Sequence, residues 1–202
     1  MRRKINEFEK KVLLSKDEYA FLLKSVFSQT EEIVQKNYYY DNNDCFFNRN
    51  NITCRIRDVS GKYTLTIKEH STTLTSNSTE DSMCVNGVGN TISYNGVYAS
   101  LKGELITKRR TLNANSHVRL MLDENNYLGE TDYELEIEYD IGLENLANYE
   151  MKEIAYLLSV NNITVDNGEF INRTNTSKSK SRRFFERKEL IEQRNKYGIY
   201  SE

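Results

Sequence analysis

Glu7, Glu9 and Lys11 recur at every second residue in the run INEFEKKVLL. Side chains two apart on a β-strand project to one face, so the three charges would stand together. Other runs repeat the habit. Arg55 and Arg57 share a face in CRIRD, as do Thr66 and Lys68 in LTIKE. In ITKRRT, Thr107, Arg109 and Thr111 take one side while Lys108 and Arg110 take the other. In DYELEIEYD, Tyr133, Leu135, Ile137 and Tyr139 alternate with Glu134, Glu136 and Glu138. Each strand alone fits a half-buried sheet with a solvated outer face. Together they are sorted by sign, and like charges spaced by two on an exposed strand repel for no gain. On the inner wall of a barrel a ligand would neutralise them. Arginine forks and lysine charges grip phosphate oxygens, and carboxylates hold a hard divalent cation such as Mg²⁺. Phosphoryl transfer needs mainly positioning and charge neutralisation, so such a set needs no Ser, Cys or His nucleophile.

The elements that must position these residues are also legible. Ser15-Lys16-Asp17-Glu18 is a capping box that starts a helix, SKDEYAFLLKSVF, with Tyr19, Leu22, Leu23 and Val26 on its apolar side. IVQKNYYYD reads as a strand, and its Tyr38-Tyr39-Tyr40 run as strand packing. NITCRIRDV, a Ser60-Gly61 turn and KYTLTIKE form a β-hairpin. From His70 to Ser100, short strands and loops are expected, and Gly87-Val88-Gly89 lacks the third glycine of a dinucleotide fingerprint. The β pattern resumes in GELITKRRTL, HVRLMLD and DYELEIEYD. An amphipathic helix, NLANYEMKEIAYLLSV, then shows Leu146, Tyr149, Ile154, Leu157 and Leu158 as its apolar side, suited to covering the barrel. A Ser/Lys/Arg stretch leads to a last charged helix, roughly Arg183 to Tyr197. His70 and His117 form no recognisable metal pair.

The chain has 202 residues, 38% hydrophobic and 29% charged, with a formal net charge of −2. It suits one globular domain of the α+β class, mainly antiparallel β. That charge gives no bulk attraction to nucleic acid or membrane, so anion binding must come from local arrangement. No apolar run is long enough to span a membrane, and the basic start MRRKINEFEKK has no apolar stretch behind it. Cys45, Cys54 and Cys84 are odd in number and lack C-x-x-C spacing, as expected of a cytoplasmic protein with free thiols.

Taken in order, these residues resemble the CYTH domain, or triphosphate tunnel metalloenzyme family. The series is E-x-E-x-K at Glu7 to Lys11, R-x-R at Arg55-Ile56-Arg57 and T-x-K at Thr66-Ile67-Lys68. A basic strand at Thr107-Lys108-Arg109-Arg110, Leu120-Met121-Leu122-Asp123 and the E-x-E strand at Glu134 to Glu138 follow. NNYLGETDYELEIE looks like the bacterial branch. Cys54 stands where Leu usually precedes R-x-R, a change that concerns packing. The resemblance covers roughly residues 4 to 182 and is poor from 70 to 100.

The resemblance implies an eight-stranded closed antiparallel barrel, a triphosphate tunnel with flanking helices. Residues 1–182 would form the tunnel domain, and residues 183–202 a C-terminal helix packed on it. Glu7, Glu9 and Lys11 would carry catalysis. Lys11, Arg55, Arg57, Lys68 and Arg109 would bind phosphate oxygens, with parity favouring Arg109 over its neighbours. Mg²⁺ or Mn²⁺ would be held by Glu7, Glu9, Asp123 and two of Glu134, Glu136 and Glu138, with Glu136 and Glu138 favoured. In SKSKSRRF, Lys178, Lys180 and Arg182 either add phosphate contacts or form a solvated basic stretch. The implied activity is hydrolysis of a linear triphosphate, foremost inorganic tripolyphosphate, by a monomer or homodimer. Thiamine triphosphatase and class IV adenylate cyclase are the alternatives within the fold, and a non-catalytic polyphosphate or nucleotide binder is the alternative outside enzymes.

Overall fold

The structure is a computed structural model that describes residues 2–70, 77–163, 167–173 and 177–198. Strands β1 (Arg2–Leu14), β2 (Glu32–Asp41), β3 (Ile52–Val59), β4 (Lys62–His70), β5 (Asn77–Val85), β6 (Thr91–Tyr94), β7 (Val97–Asn113), β8 (Val118–Tyr127) and β9 (Glu130–Tyr139) form one antiparallel sheet. Its order is β2-β3-β4-β5-β1-β9-β8-β7, and β2 pairs again with β7 from Glu32↔Arg110 to Asp41↔Ser100. That last ladder closes an eight-stranded barrel, and β6 is an extra strand hairpinned onto the start of β7. The expected hairpin turn at Ser60-Gly61 is present, both residues having positive φ as a tight two-residue turn requires.

β1 serves two neighbours. Arg2 to Phe8 pairs with β5, and Phe8 to Leu14 pairs with β9. The segment from 70 to 100, expected as short strands and loops, supplies β5, β6 and the start of β7; residues 71–76 of it lie outside the described residues.

The apolar core lies mostly outside the barrel wall. Val12, Leu120, Leu122, Leu135 and Ile137 pack outward against α1 (Lys16–Ser25), α3 (Glu144–Val160) and Phe170 of α4 (Asn167–Arg173). A second cluster, including Tyr40, Cys54, Ile56 and Ile67, packs against Phe47 of α2 (Phe46–Arg49). Cys54 is therefore a buried packing residue of the outer wall. Strand alternation does the rest: when odd positions of β9 face this outer core, its three glutamates must face inward.

Both bonds of the expected capping box form, Glu18 N donating to Ser15 Oγ at 3.2 Å and Ser15 N to Glu18 Oε2 at 2.7 Å. The apolar side of α3 differs from expectation. Ala147, Met151, Ile154, Ala155 and Leu158 face the barrel, whereas Leu146 and Tyr149 are exposed. The helix carries two apolar faces, and the small Ala147 and Ala155 let one of them approach the sheet closely.

The last helix, α5 (Lys180–Tyr197), starts three residues before the expected Arg183 because Ser179 caps it, accepting from Arg182 N. Its first turns plug one end of the barrel. Phe184 and Phe185 pack there on Tyr39 and Leu105, the one apolar cluster among the described residues that sits inside the wall.

Candidate active site

Inside the barrel a cavity of about 100 Å³ is lined by six cations and five carboxylates. Glu7, Glu9 and Lys11 all face it from β1. Lys68 on β4 reaches across, with Nζ 2.8 Å from Glu7 Oε2 and 3.1 Å from Glu9 Oε1. Lys11 Nζ lies 2.8 Å from the same Glu9 oxygen and 3.8 Å from Glu136. Arg109, directly opposite Asp123 in the β7–β8 ladder, donates to both its oxygens at 2.8 and 2.6 Å and also to Glu136. Parity placed it correctly: Lys108 and Arg110 face outward, to Glu124 and Glu32.

Lys180 enters from α5. Its Nζ lies 2.9 Å from Asp123, 2.9 Å from Glu134 and 2.7 Å from Glu136, all four residues being buried. One helical turn on, Arg183 pairs with Glu134 at 2.6 Å and Asp132 at 2.8 Å. Arg182 does not reach the cavity. It is about 200° around the helix from Lys180, exposed, and bonded to Glu186 at 3.2 Å; Lys178 also pairs with Glu186. Of the three β9 glutamates, Glu134 and Glu136 gather at Asp123, while Glu138 stands at the opposite end of the barrel and binds Arg119.

The network sets the protonation states. Burial opposes ionisation of Glu9, yet Lys11 and Lys68 hold its pKa far below the ordinary 4.5. Against the same burial, Lys180, Arg109 and Lys11 hold Glu136 well below its usual range. Glu134 goes the other way, raised by a burial that outweighs Lys180 and Arg183. Burial tends to neutralise Lys68, but Glu9 and Glu7 keep it protonated.

Two lining groups stand apart. Arg57 donates from Nε to Asn37 Oδ1 at 2.9 Å but has no carboxylate partner among the described residues. Burial and then the neighbouring Arg55 and Arg109 outweigh the pull of Glu80 and push its guanidinium down to about 9, so it stays protonated at neutral pH. His70, whose Nε2 is 3.0 Å from Thr53 Oγ1, is pushed down to about 3 by burial and by Lys68 and Lys11.

His70, Glu80, Ser179 and Ser181 line the cavity, although the sequence did not single them out as site residues. Glu80 pairs with Arg55 at 3.8 Å from a strand without apolar alternation. The acidic side chains are parted by the cations that bind them, and no three metal-binding groups converge on one point among the described residues. The donor set nonetheless suits a hard cation: Asp123, Glu134 and Glu136 already surround a positive charge with carboxylate oxygens.

The CYTH domain model matches residues 6–164, a span that begins within β1 and holds the other barrel strands and nearly all the charged lining. The chain belongs to the CYTH domain family. A candidate adenylate cyclase from Bacillus halodurans has the same fold, with a TM-score of 0.67, 21% identity, and coverage of 90% of this chain and 98% of that one. A candidate adenylyl cyclase from Hippeastrum, described with a dominant triphosphatase activity, aligns with a TM-score of 0.57 and 19% identity over 73% of this chain and 87% of that one. A Pyrococcus horikoshii protein aligns with a TM-score of 0.54 and 18% identity over 75% of this chain and 89% of that one. No curated protein matches the sequence. No described helix of this CYTH protein is long and apolar enough to cross a membrane.

Proposed function

We propose that this protein hydrolyses the terminal phosphoanhydride of a linear triphosphate, inorganic tripolyphosphate in the first instance, with Mg²⁺ or Mn²⁺ as cofactor. The observation that carries the reading is Arg57: a protonated guanidinium inside a closed barrel, beside Arg55 and Arg109, with no carboxylate in ion-pair contact among the described residues. Burying such a group is expensive unless an anion completes it.

In this reading Lys11, Arg55, Arg57, Lys68, Arg109 and Lys180 hold phosphate oxygens. The lining has one more cation than carboxylates, too little positive charge for a triphosphate. Divalent cations held by Glu7, Glu9, Asp123, Glu134, Glu136 and Glu138 would supply the rest, and when bound they neutralise phosphate charge and lower the pKa of water. The residues themselves position and polarise. Water oxygen attacks the terminal phosphorus, the bond to the bridging oxygen breaks, and orthophosphate, diphosphate and a proton leave. Glu9 acts as an anionic anchor, because its strongly lowered pKa makes it a poor base. The triphosphatase activity named for the Hippeastrum relative supports hydrolysis over cyclisation.

Phosphate release from tripolyphosphate is to be measured with Mg²⁺, with Mn²⁺ and with chelator, on wild type and Glu9→Gln. Metal-dependent release that is lost in the variant is expected. Cyclic AMP formed from ATP, or tight tripolyphosphate binding without turnover under either metal, would overturn the proposal.

A further inference from the structure

Three consecutive residues of the α5 segment line the tunnel cavity: Ser179, the N-cap, and Lys180 and Ser181, the first two residues of the helix. The Lys180 side chain is engaged by carboxylates of β8 and β9, but the backbone of the same turn is not. Intrahelical bonding starts with Arg183 N, which donates to Ser179 O at 3.0 Å, and Ser179 Oγ accepts from Arg182 N at 3.3 Å. The N–H groups of Lys180 and Ser181 are left with no acceptor among the described residues. They point back along the helix axis, past Ser179, and carry the positive end of an 18-residue helix dipole.

A helix N-terminus alone is only a favourable place for an anion. Two side chains beside it point to a ligand. Ser181 is 5% exposed, and its hydroxyl makes no hydrogen bond among the described residues. Tyr39 lines the same cavity, is fully buried, and has a hydroxyl with no partner among the described residues. Its ring is held by Phe184 and Phe185 of α5, with centroids 5.1 and 6.1 Å away. A buried hydroxyl without a partner lowers stability, and a ligand oxygen would relieve that cost. The carboxylates that approach this turn, Asp123, Glu134 and Glu136, are all bonded to Lys180, so they do not exclude an anion.

We propose that the N-terminus of α5 is an anion-binding site that receives the terminal phosphoryl group of the substrate. The N–H groups of Lys180 and Ser181 and the hydroxyls of Ser181 and Tyr39 donate to its oxygens. Four donors suit the three outer oxygens of a chain end. Phe184 and Phe185 fill the barrel behind this turn, so the group held there ends its chain. Any substituent on the substrate therefore lies toward the Glu138 end. The inference rests on the triphosphate reading of the tunnel and gives that reading a direction.

Nitrogen-15 NMR of the full chain in chelator, titrated with orthophosphate and with tripolyphosphate, tests this. Orthophosphate is a chain end without the chain. Both probes are expected to move the amide protons of Lys180 and Ser181 downfield, while Arg182, whose N–H is already bonded to Ser179, moves less. Ser181→Ala keeps both N–H groups, so the two amides still respond. Its orthophosphate affinity should fall by about tenfold, as losing a hydrogen bond to a charged group does. Ser181→Asp places a carboxylate in the first helical turn, where the dipole favours it, so thermal stability should hold or rise. Orthophosphate binding at α5 should nevertheless be lost. A purely structural turn would instead change the stability of these variants and leave binding intact, which would overturn the inference. Tripolyphosphate that moves amides of the barrel strands but not those of Lys180 and Ser181 would also overturn it, and would leave the proposed hydrolysis standing. No saturable shift with either probe would overturn both.

Discussion

The Lys180 ammonium stands 2.7 Å from Oε1 of Glu136, so the first turn of α5 seals its end of the barrel through a buried ion pair. The same ammonium meets Asp123 and Glu134, and thus holds three carboxylates that would otherwise repel. One side chain joins the closure of the barrel to the electrostatics of its interior.

Removing that charge should expose the link. Lys180→Met leaves Asp123, Glu134 and Glu136 short of a counter-charge, and breaking a buried pair in this way costs on the order of 3 kcal/mol. In chelator the variant should melt well below wild type. Added Mg²⁺ or Mn²⁺ should raise its melting temperature more than that of wild type, because a cation then takes up the freed carboxylates. Equal metal responses in thermal scans would mean that these carboxylates are not a cation site.

Arg57 offers the opposite test, since its charge is hydrogen-bonded but in ion-pair contact with no carboxylate among the described residues. Arg57→Ala relieves repulsion from Arg55 and Arg109, so thermal stability should be unchanged or raised. Hydrogen bonds to charged groups contribute about 1.5–3 kcal/mol, so tripolyphosphate affinity by calorimetry should fall by roughly ten- to a hundredfold. Arg182→Ala, on the exposed face of α5, should alter neither quantity.

These contrasts also mark what was legible in the sequence. Strands with a period of two and charges sorted by sign announced a barrel with an ionic interior, and Glu7, Glu9, Arg55, Arg57 and Arg109 all point inward as that parity requires. Lys178, Lys180 and Arg182 are equivalent only on an extended reading of SKSKSRRF. Once Ser179 starts a helix, the relevant period is 3.6, and Lys180 aligns with Arg183 and Phe184 instead. Glu80 stayed hidden because NSTEDSMCV has no apolar alternation to reveal a strand, its place being set by the ladders to β4 and β1. The buried face of α3 is legible only in part: Ile154 and Leu158 pack inward as expected, but Leu146 and Tyr149 form a second apolar face, and periodicity alone does not say which of two faces the barrel takes.

His70 makes part of the acid sensitivity predictable. Its folded-state pKa, about 3, lies below the ordinary 6.5, so the unfolded chain takes up a proton that the folded chain refuses. Stability from this source is complete above pH 6.5 and is lost as pH falls toward 3, amounting to roughly 2 kcal/mol at pH 5 by linkage. Glu9, Asp123 and Glu136, whose pKa values are lowered, add losses only further down, as pH falls through the carboxylate range. Denaturant titrations between pH 7 and pH 5 should therefore show a smaller pH slope for His70→Gln than for wild type, as judged by linkage. The difference should persist down to about pH 3, and only below it, where both states hold the proton, should the two slopes converge. An unchanged slope above pH 5 would show that His70 titrates normally in the folded protein.

Gly103 tests how α5 is seated. It lies on β7 opposite Tyr39, where the β2 ladder slips by one residue, and its φ of +147° is one that L side chains rarely adopt. A Cβ there would stand 2.8 Å from Cζ of Phe184, the fully buried ring that packs on Tyr39 with centroids 5.1 Å apart. Gly103→Ala should therefore destabilise the fold by about 1–3 kcal/mol through overpacking, with backbone strain added. The ring cannot yield without shifting α5, so cleavage within α5 under limited proteolysis should accelerate. Phe184→Leu removes the ring edge that the new methyl meets. If that contact is the cause, the double variant Gly103→Ala/Phe184→Leu should be more stable than the sum of the single losses predicts, by more than the roughly 0.5 kcal/mol within which independent sites add. Strict additivity would assign the Gly103 effect to backbone strain alone and detach it from the seating of the plug.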